Sequence, residues 1–181
     1  MSLPRQIIPG TTYLVTRRCT QRQFLLRPSD STNQIVLYIL AEGARRFKID
    51  VHSVCFLSNH WHCLATDKHG KLPAFVEFVH QFIAKAVNAS LGRWENLWAS
   101  EKTSFVPLKS QDDIVNKTVY TLMNPVTAGL VDQGKAWPGI LRGPDAWKQS
   151  LTISRPTIYF RKKSSMPETV TLKMTAPPLG K

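Results

Sequence analysis

Two kinds of hydrophobic pattern alternate along the first two thirds of the chain. A period of two residues is typical of a half-buried strand, and a period of 3.6 residues is typical of an amphipathic helix. Ser29 precedes the first helical run, Pro73 opens the second, and Pro125 follows the third. The pattern predicts strands at 11–16, 50–57, 60–66 and 103–108 and helices at 30–46, 73–88 and 111–124.

The order of these elements predicts the fold. Strand, helix, strand, strand, helix, strand, helix is typical of a ferredoxin-like (RRM-like) α+β fold, in which helices cover one face of an antiparallel sheet. We predict one domain over residues 1–135. Residues 136–181 contain several Pro and Gly turns and an excess of cations. We expect them to form a basic C-terminal extension that has no core of its own, with short strands at 157–160 and 169–174.

The third predicted helix has two faces of different chemistry. Val115, Val119 and Leu122 recur at helical spacing, so we expect this face to be buried. The opposite face then presents the polar residues Lys117, Tyr120 and Asn124. Because Pro125 disfavours helical geometry at the residue before it, we expect the helix to bend or end at Asn124.

The second helix and the loop after it carry further polar and aromatic residues. His80 and Lys85 are expected on the exposed side of that helix. The loop contains Arg93 together with Trp94 and Trp98. Stacking of an indole on an unpaired base is one interpretation, but packing of both indoles beneath the loop is the favoured one.

The charge balance narrows the class of partner. Lys and Arg number 24 against 12 Asp and Glu, which gives a formal net charge of +12. Such a field attracts polyanions, nucleic acid first. The candidates for phosphate contacts are Arg17, Arg18, Arg22, Arg93, Arg155 and Lys162. For the three arginines that follow the first strand, a solvated strand end is an equally good interpretation.

Several classes of protein are disfavoured. No apolar run approaches the ~18 residues of a membrane span, and the N-terminus lacks the apolar region of a signal peptide. Three cysteines fit neither a disulfide framework nor a zinc ribbon. We therefore expect an intracellular protein that does not contact a membrane, with reduced cysteines in packing positions.

Two histidines are the first candidate for chemistry. Side chains alternate between the two faces of a strand, so His60 and His62 point the same way and Trp61 points the other way. Two imidazoles on one face can share a divalent cation, but they need a third ligand from elsewhere. A surface pair without metal is the alternative.

The histidine motif is followed about sixty residues later by a second motif. Asn59-His60-Trp61-His62, joined in order to Tyr120-x-x-x-Asn124-Pro125-Val126-x-Ala128-Gly129-Leu130-Val131, resembles the REP-associated tyrosine transposases. These form a branch of the single-tyrosine transposases in the His-hydrophobe-His superfamily. The resemblance covers residues 8 to 135, and the ferredoxin-like fold that it implies agrees with the order of elements.

The resemblance implies metal-dependent cleavage and strand transfer of single-stranded or hairpin DNA at repetitive extragenic elements. Tyr120 would be the nucleophile that forms a 5′-phosphotyrosine intermediate, and Lys117 would assist it. His60 and His62 would bind Mg²⁺ or Mn²⁺, with Asn124 as the oxygen ligand. Such a protein would work on DNA in the bacterial cytoplasm, in association with the nucleoid. Whether it acts as a monomer or a homodimer stays open.

Other interpretations of these residues stay open. Asn124 is equally well suited to cap a short terminal helix, because Pro125 follows it directly. Tyr120 is alternatively a packing residue and Lys117 a solvated lysine. At the level of the whole protein, the alternative is a domesticated regulator that binds DNA or RNA through the same basic surface and does not cleave it.

Overall fold

Five strands form one antiparallel sheet at the centre of the protein. The computed structural model describes residues 7–160 and 165–178. The order across the sheet is β4-β1-β3-β2-β5. The strands are β1 (Thr11–Arg18), β2 (Ile49–Phe56), β3 (His60–Asp67), β4 (Ser104–Leu108) and β5 (Leu141–Arg142). The first four have the order of a ferredoxin-like fold, so the predicted fold class is confirmed.

Two helices cover one face of this sheet, as predicted. α1 (Asp30–Phe47) begins where the Ser29 hydroxyl accepts a hydrogen bond from the Thr32 amide at 3.1 Å. α2 (Leu72–Leu91) has Pro73 in its first turn and ends at Gly92, whose φ of 63° is left-handed. The two helices approach closely at Gly43, where an added Cβ would lie 3.1 Å from the Phe75 ring.

The main hydrophobic core lies between these helices and the sheet. Trp61 and Cys63 of β3 are buried in it, and the Trp61 indole stacks on Phe56 with a centroid distance of 5.1 Å. The opposite face of β3 carries His60, His62 and Leu64, as the two-residue period predicts. Side chains of opposite chemistry are thus sorted to the two faces of one strand.

The third helix, α3 (Gln111–Thr127), packs on the other face of the sheet. A small apolar cluster of Leu14, Leu64, Leu108 and Ile114 joins it to the strands and is separate from the main core. We call it the α3 cluster. The helix begins with a capping box formed by Ser110 and Asp113. This layer encloses the histidine face of β3.

The predicted orientation of α3 is wrong. Val115 and Val119 are 52% and 53% exposed, and Leu122 is only half-buried. The buried residues of this helix are instead Ile114, Thr118, Thr121 and Pro125. Thr118 tolerates burial because its hydroxyl donates to the Ile114 carbonyl at 2.8 Å. The two sets have the same helical spacing, so periodicity could not decide which one faces the sheet.

The C-terminal segment is part of the same folded unit, which corrects the predicted boundary at 135. β5 pairs with β2, and a hairpin of β6 (Ser150–Ser154) and β7 (Thr169–Lys173) packs on α1. A strand was expected at 157–160, but the structure has β6 at Ser150–Ser154 instead. Described residues of this segment that enter the main core are Ile140, Ala146, Ile153, Phe160, Met166, Val170, Leu172 and Met174. Their apolar surface completes the cover of α1.

Truncation of a buried side chain in the hairpin tests this. Leu172→Ala should lower the free energy of unfolding by about 2–5 kcal/mol, because it leaves a cavity in the shared core. Thr171→Ala, on the exposed side of the same strand, is the matched control and should change it by less than about 1 kcal/mol. Urea denaturation measures both. Equal values for the two variants would mean that the hairpin does not belong to the core.

Candidate functional site

A braced turn fixes the position of the two histidines. β2 and β3 are joined by a turn in which the Leu57 amide donates to the His60 carbonyl at 2.9 Å. The segment that follows β1 is hydrogen bonded to this turn, since the Cys19 amide donates to the Asn59 carbonyl at 2.7 Å. The His60 and His62 rings are 4.9 Å apart between centroids, with planes nearly perpendicular.

Hydrogen bonds set the orientation of both imidazoles. His60 Nδ1 lies 2.6 Å from Asn59 Oδ1. This oxygen only accepts, so Nδ1 carries the proton and Nε2 keeps a lone pair. His62 Nδ1 lies 2.8 Å from Thr16 Oγ1, and His62 Nε2 is buried without a hydrogen-bond partner. Asn59 and Thr16 are orienting residues that the sequence analysis missed. Thr16 could have been found as the residue opposite His62 in the sheet.

Burial keeps both imidazoles neutral. It lowers the pKa of His62 to about 3, and the neighbouring His60 and Arg18 charges act in the same direction. Burial also lowers the pKa of His60, against an interaction with the Asn124 side chain, as hydrogen-bond acceptor, that raises it. At neutral pH both rings therefore offer a lone pair, as a metal ligand must.

Asn124 lies beside His60 and does not cap the helix. α3 continues through Pro125 to Thr127, contrary to the predicted end at Asn124, and its C-cap is Ala128. The Asn124 backbone carbonyl accepts a hydrogen bond from the Ala128 amide at 3.0 Å, while its side chain lies within reach of His60. Its side-chain oxygen is therefore placed near the histidines.

Tyr120 faces the histidines from α3. Its ring centroid is 5.2 Å from that of His62, at an interplanar angle of 78°. The side chain is 47% exposed, so it is not a core residue. The Lys117 ammonium lies 5.4 Å from the Tyr120 ring centroid, one helical turn away. The two sequence motifs thus meet in one place.

These residues fit a divalent cation. Within residues 7–160 and 165–178, no three or more His, Cys, Asp or Glu side chains form a metal-binding group. The available donors are the two imidazole nitrogens and the Asn124 amide oxygen. The unpartnered His62 Nε2 is the kind of buried polar atom that a ligand would satisfy. Mg²⁺ commonly keeps several waters, so a small set of protein ligands is sufficient.

A basic cleft of about 980 Å³ opens beside His62 and Tyr120. Among the described residues that line it, the charged ones are Arg17, Arg18, Arg22, Lys102, Lys117 and Glu101. Five cations against one carboxylate make the cleft attractive to a polyanion. Arg18 and Arg22 are exposed, and Arg18 lies opposite His60 in the sheet. The cleft thus joins cations to the histidine–tyrosine pair.

Arg17 has a structural role within the cleft. Its guanidinium donates to the Ala99 carbonyl at 2.7 Å and to the Glu101 carbonyl. Burial lowers the pKa of Arg17, and the nearby Glu101 carboxylate opposes that effect. The side chain therefore anchors the loop that forms the cleft wall, in addition to any contact with phosphate.

The remaining predicted cations lie elsewhere. Arg93 forms an ion pair with Glu95 at 3.2 Å in the loop after α2. Arg155 donates to the Met166 carbonyl within the C-terminal hairpin, on the side of α1. Neither is among the residues that line the cleft. Lys162 lies outside the described residues. Sequence proximity to other cations could not show which of them share a surface.

His80 was expected on the exposed side of α2, but it is largely covered and supports the cleft wall. Its Nε2 accepts a hydrogen bond from the Trp61 indole at 3.1 Å, and its carbonyl accepts one from the Trp98 indole at 2.8 Å. Burial lowers the pKa of His80 to about 3, and the Arg17 charge adds to this effect. One histidine thus links the main core to the loop after α2.

Comparison with solved structures identifies a similar fold. A REP-associated tyrosine transposase bound to a REP hairpin matches with a TM-score of 0.63 and 21% identity, over 77% of this chain and 81% of that one. A crystal structure described as a transposase from Deinococcus radiodurans R1 matches with a TM-score of 0.45 and 17% identity, over 66% and 95%. The first likeness establishes the fold, in agreement with the sequence resemblance. No family model and no curated protein sequence matches.

No helix among the described residues combines the length and the apolar character that a bilayer crossing requires.

The pH dependence of stability tests the neutral state of His80. Below a pH of about 6.5 the unfolded chain binds a proton at this position, whereas the folded protein does so only near pH 3. The free energy of unfolding should therefore fall as the pH drops through this range, by up to about 1.4 kcal/mol per pH unit.

In His80→Gln, which keeps an acceptor for the Trp61 indole, the slope should become shallower. His69→Gln, in an exposed loop, is the control and should keep the wild-type slope. Urea denaturation at pH 7, 6, 5 and 4 measures the three proteins. A wild-type slope in His80→Gln would contradict a neutral, buried imidazole.

Proposed function

We propose that this protein cleaves and rejoins single-stranded or hairpin DNA through a covalent 5′-phosphotyrosine at Tyr120, as a member of the REP-associated tyrosine transposases. The observation that carries the proposal is the contact of the Tyr120 ring with His62, whose Nε2 is buried and unpartnered. Tyr120 and His62, which are about sixty residues apart in sequence, line one cleft.

Two further findings support this. The sequence motifs appear in the order found in that family, and the fold is similar to that of a REP-associated tyrosine transposase bound to a REP hairpin. The basic lining of the cleft suits a phosphate backbone. Repetitive extragenic hairpins in the bacterial nucleoid are therefore the proposed substrate, and the cytoplasm is the proposed location.

His60, His62 and Asn124 would hold Mg²⁺ or Mn²⁺. Such an ion supplies Lewis-acid polarisation of the scissile phosphate and helps to orient it. Asn59 leaves the Nε2 lone pair of His60 available, and Thr16 holds the His62 ring in its orientation. Bond formation and proton transfer would be carried out by side chains of this protein and by the DNA.

Tyr120 would carry out the transesterification. Its phenolic oxygen attacks phosphorus, and the bond between phosphorus and the 3′ oxygen breaks. The phenol loses its proton to solvent, which reaches the half-exposed side chain, and the leaving 3′ oxygen takes up a proton. A 3′-hydroxyl attacks the 5′-phosphotyrosine in the reverse reaction and regenerates the tyrosine. Lys117 would stabilise the developing negative charge on the phenol.

The cations of the cleft would position the DNA strand. Arg18 and Arg22 are exposed at its mouth and would contact phosphates directly. Arg17 would act through the loop that it anchors. Binding should therefore weaken as salt concentration rises.

A second candidate function is a domesticated regulator that binds structured DNA or RNA and does not cleave it. The basic lining of the cleft favours it, because these cations need no metal to bind phosphate. This function predicts salt-sensitive binding that neither a chelator nor Tyr120→Phe changes, and no covalent product.

Formation of a covalent adduct distinguishes the two. With end-labelled hairpin or single-stranded DNA from the genomic neighbourhood and Mn²⁺, the wild type should give a protein–DNA band on a denaturing gel. Tyr120→Phe should reduce this band by at least about 1,000-fold, because no other group replaces the nucleophile. Tyr159→Phe, at an exposed tyrosine on the C-terminal segment, is the control and should keep it. Absence of an adduct with every strand would refute cleavage.

Metal affinity tests the ligand set. Thr16→Val removes the hydroxyl that orients His62 and should weaken Mn²⁺ binding by about 10- to 100-fold. Thr11→Val, on the same strand but away from the histidines, is the control and should leave affinity unchanged. Titration calorimetry gives the dissociation constants. Adduct formation that persists in excess chelator would refute a metal role.

A further inference from the structure

Trp94 is the most exposed large apolar side chain among the described residues. It lies in the loop between α2 and β4 and is 93% exposed. The neighbouring Trp98 is partly buried and donates to the His80 carbonyl. The expectation that both indoles pack beneath the loop is therefore wrong for Trp94. An exposed indole offers its aromatic face to a ligand.

The loop that carries Trp94 is held in place on both sides. On the α2 side, the Arg93 amide donates to the Asn88 carbonyl at 2.8 Å, and Asn88 Nδ2 donates to the Glu95 carbonyl at 2.6 Å. On the β1 side, the Thr20 amide donates to the Leu97 carbonyl at 2.9 Å. The backbone thus presents the indole from a fixed frame.

Trp94 lines a second groove of about 490 Å³, which we call the Trp94 groove. Its lining includes Lys85 and the side-chain amides of Asn88 and Asn96. Glu95 also lines it, but Arg93 forms an ion pair with this carboxylate at 3.2 Å. The groove therefore combines one exposed aromatic face with hydrogen-bonding groups and a lysine.

The Trp94 groove adjoins the basic cleft. Arg17, Ala99 and Ser100 line both. Because the Arg17 guanidinium donates to the Ala99 carbonyl, the wall between the two spaces is itself a fixed element. A DNA strand that extends from the cleft past Ala99 and Ser100 would reach the Trp94 indole.

We propose that Trp94 stacks on an unpaired base of the DNA strand that extends from the basic cleft. The proposal rests on the proposed function for its ligand, because the cleft must bind nucleic acid. An aromatic face accepts any base, whereas paired bases in a duplex have their faces covered by their neighbours. Lys85 would contact the adjoining phosphate. The subsite therefore selects single-stranded DNA without selecting its sequence.

Binding of strands of graded length tests the subsite. We would use the Tyr120→Phe background, in which the DNA stays intact, and measure dissociation constants by fluorescence anisotropy. For strands long enough to reach the groove, Trp94→Ala should weaken binding about fivefold or more, whereas Trp94→Phe should retain most of the affinity. For short strands that fill only the cleft, and for a blunt duplex, neither substitution should change it.

A base analogue locates the contact. With 2-aminopurine placed at successive positions of the long strand, one position should be quenched by the wild-type indole and should regain its fluorescence in Trp94→Ala. Leu91→Ala, at an exposed apolar residue near the loop, is the matched control and should behave as the wild type. Since Trp94 is exposed, the thermal midpoint of the variants should not change, which separates a lost contact from a lost fold.

The outcomes separate this proposal from the proposed function. Equal affinity of wild type and Trp94→Ala at every length, or equal loss for single strand and duplex, would overturn the subsite even if the covalent adduct forms. A length-dependent loss without any adduct would support the subsite and refute cleavage. Failure of the wild type to bind any DNA would overturn both.

Discussion

The alternation of side chains along β3 is the constraint on which the site depends. β3 is hydrogen bonded to β1 on one side and β2 on the other, in the interior of the sheet. A shift of one residue would take Trp61 out of the main core and turn His60 and His62 into it. Burial of one indole therefore fixes the direction of two imidazoles. Two imidazoles can bind one metal ion only if they face the same side of the strand, whichever ion it is.

The layer between the sheet and α3 explains why these histidines are suited to binding. Both imidazoles are desolvated there, so the charged form of each ring is disfavoured and the neutral form offers its lone pair. Asn59 then selects the available nitrogen of His60, and Thr16 orients the His62 ring. Desolvation and orientation are supplied by the same packing that places α3 against the strands. A site on the open surface would lack both.

The sequence predicted the parts of this protein that follow from local patterns. The ferredoxin-like order of elements, the bounds of α1 and α2 and the shared face of the histidines all depend on spacing and capping residues. The face of α3 could not be predicted in this way, because two sets of residues had the same helical spacing and only the packing of Ile114 on the apolar side chains of the sheet selected between them. The burial of His80 and the place of the C-terminal hairpin in the core depend on contacts between distant segments. Trp94 was misassigned because a loop sequence does not show which indole faces inward.

The separateness of the α3 cluster has a consequence for how the protein opens. Among the residues that the structure describes, four (Leu14, Leu64, Leu108 and Ile114) form this cluster, whereas α1 and α2 share the main core. The free energy that must be supplied to release α3 is therefore smaller than that of global unfolding. Backbone amides of α3 should exchange with deuterium through a local fluctuation, while those of β3 wait for the whole sheet to come apart. The phenol of Tyr120 is thus carried by a helix that rests on the smaller of the two apolar clusters.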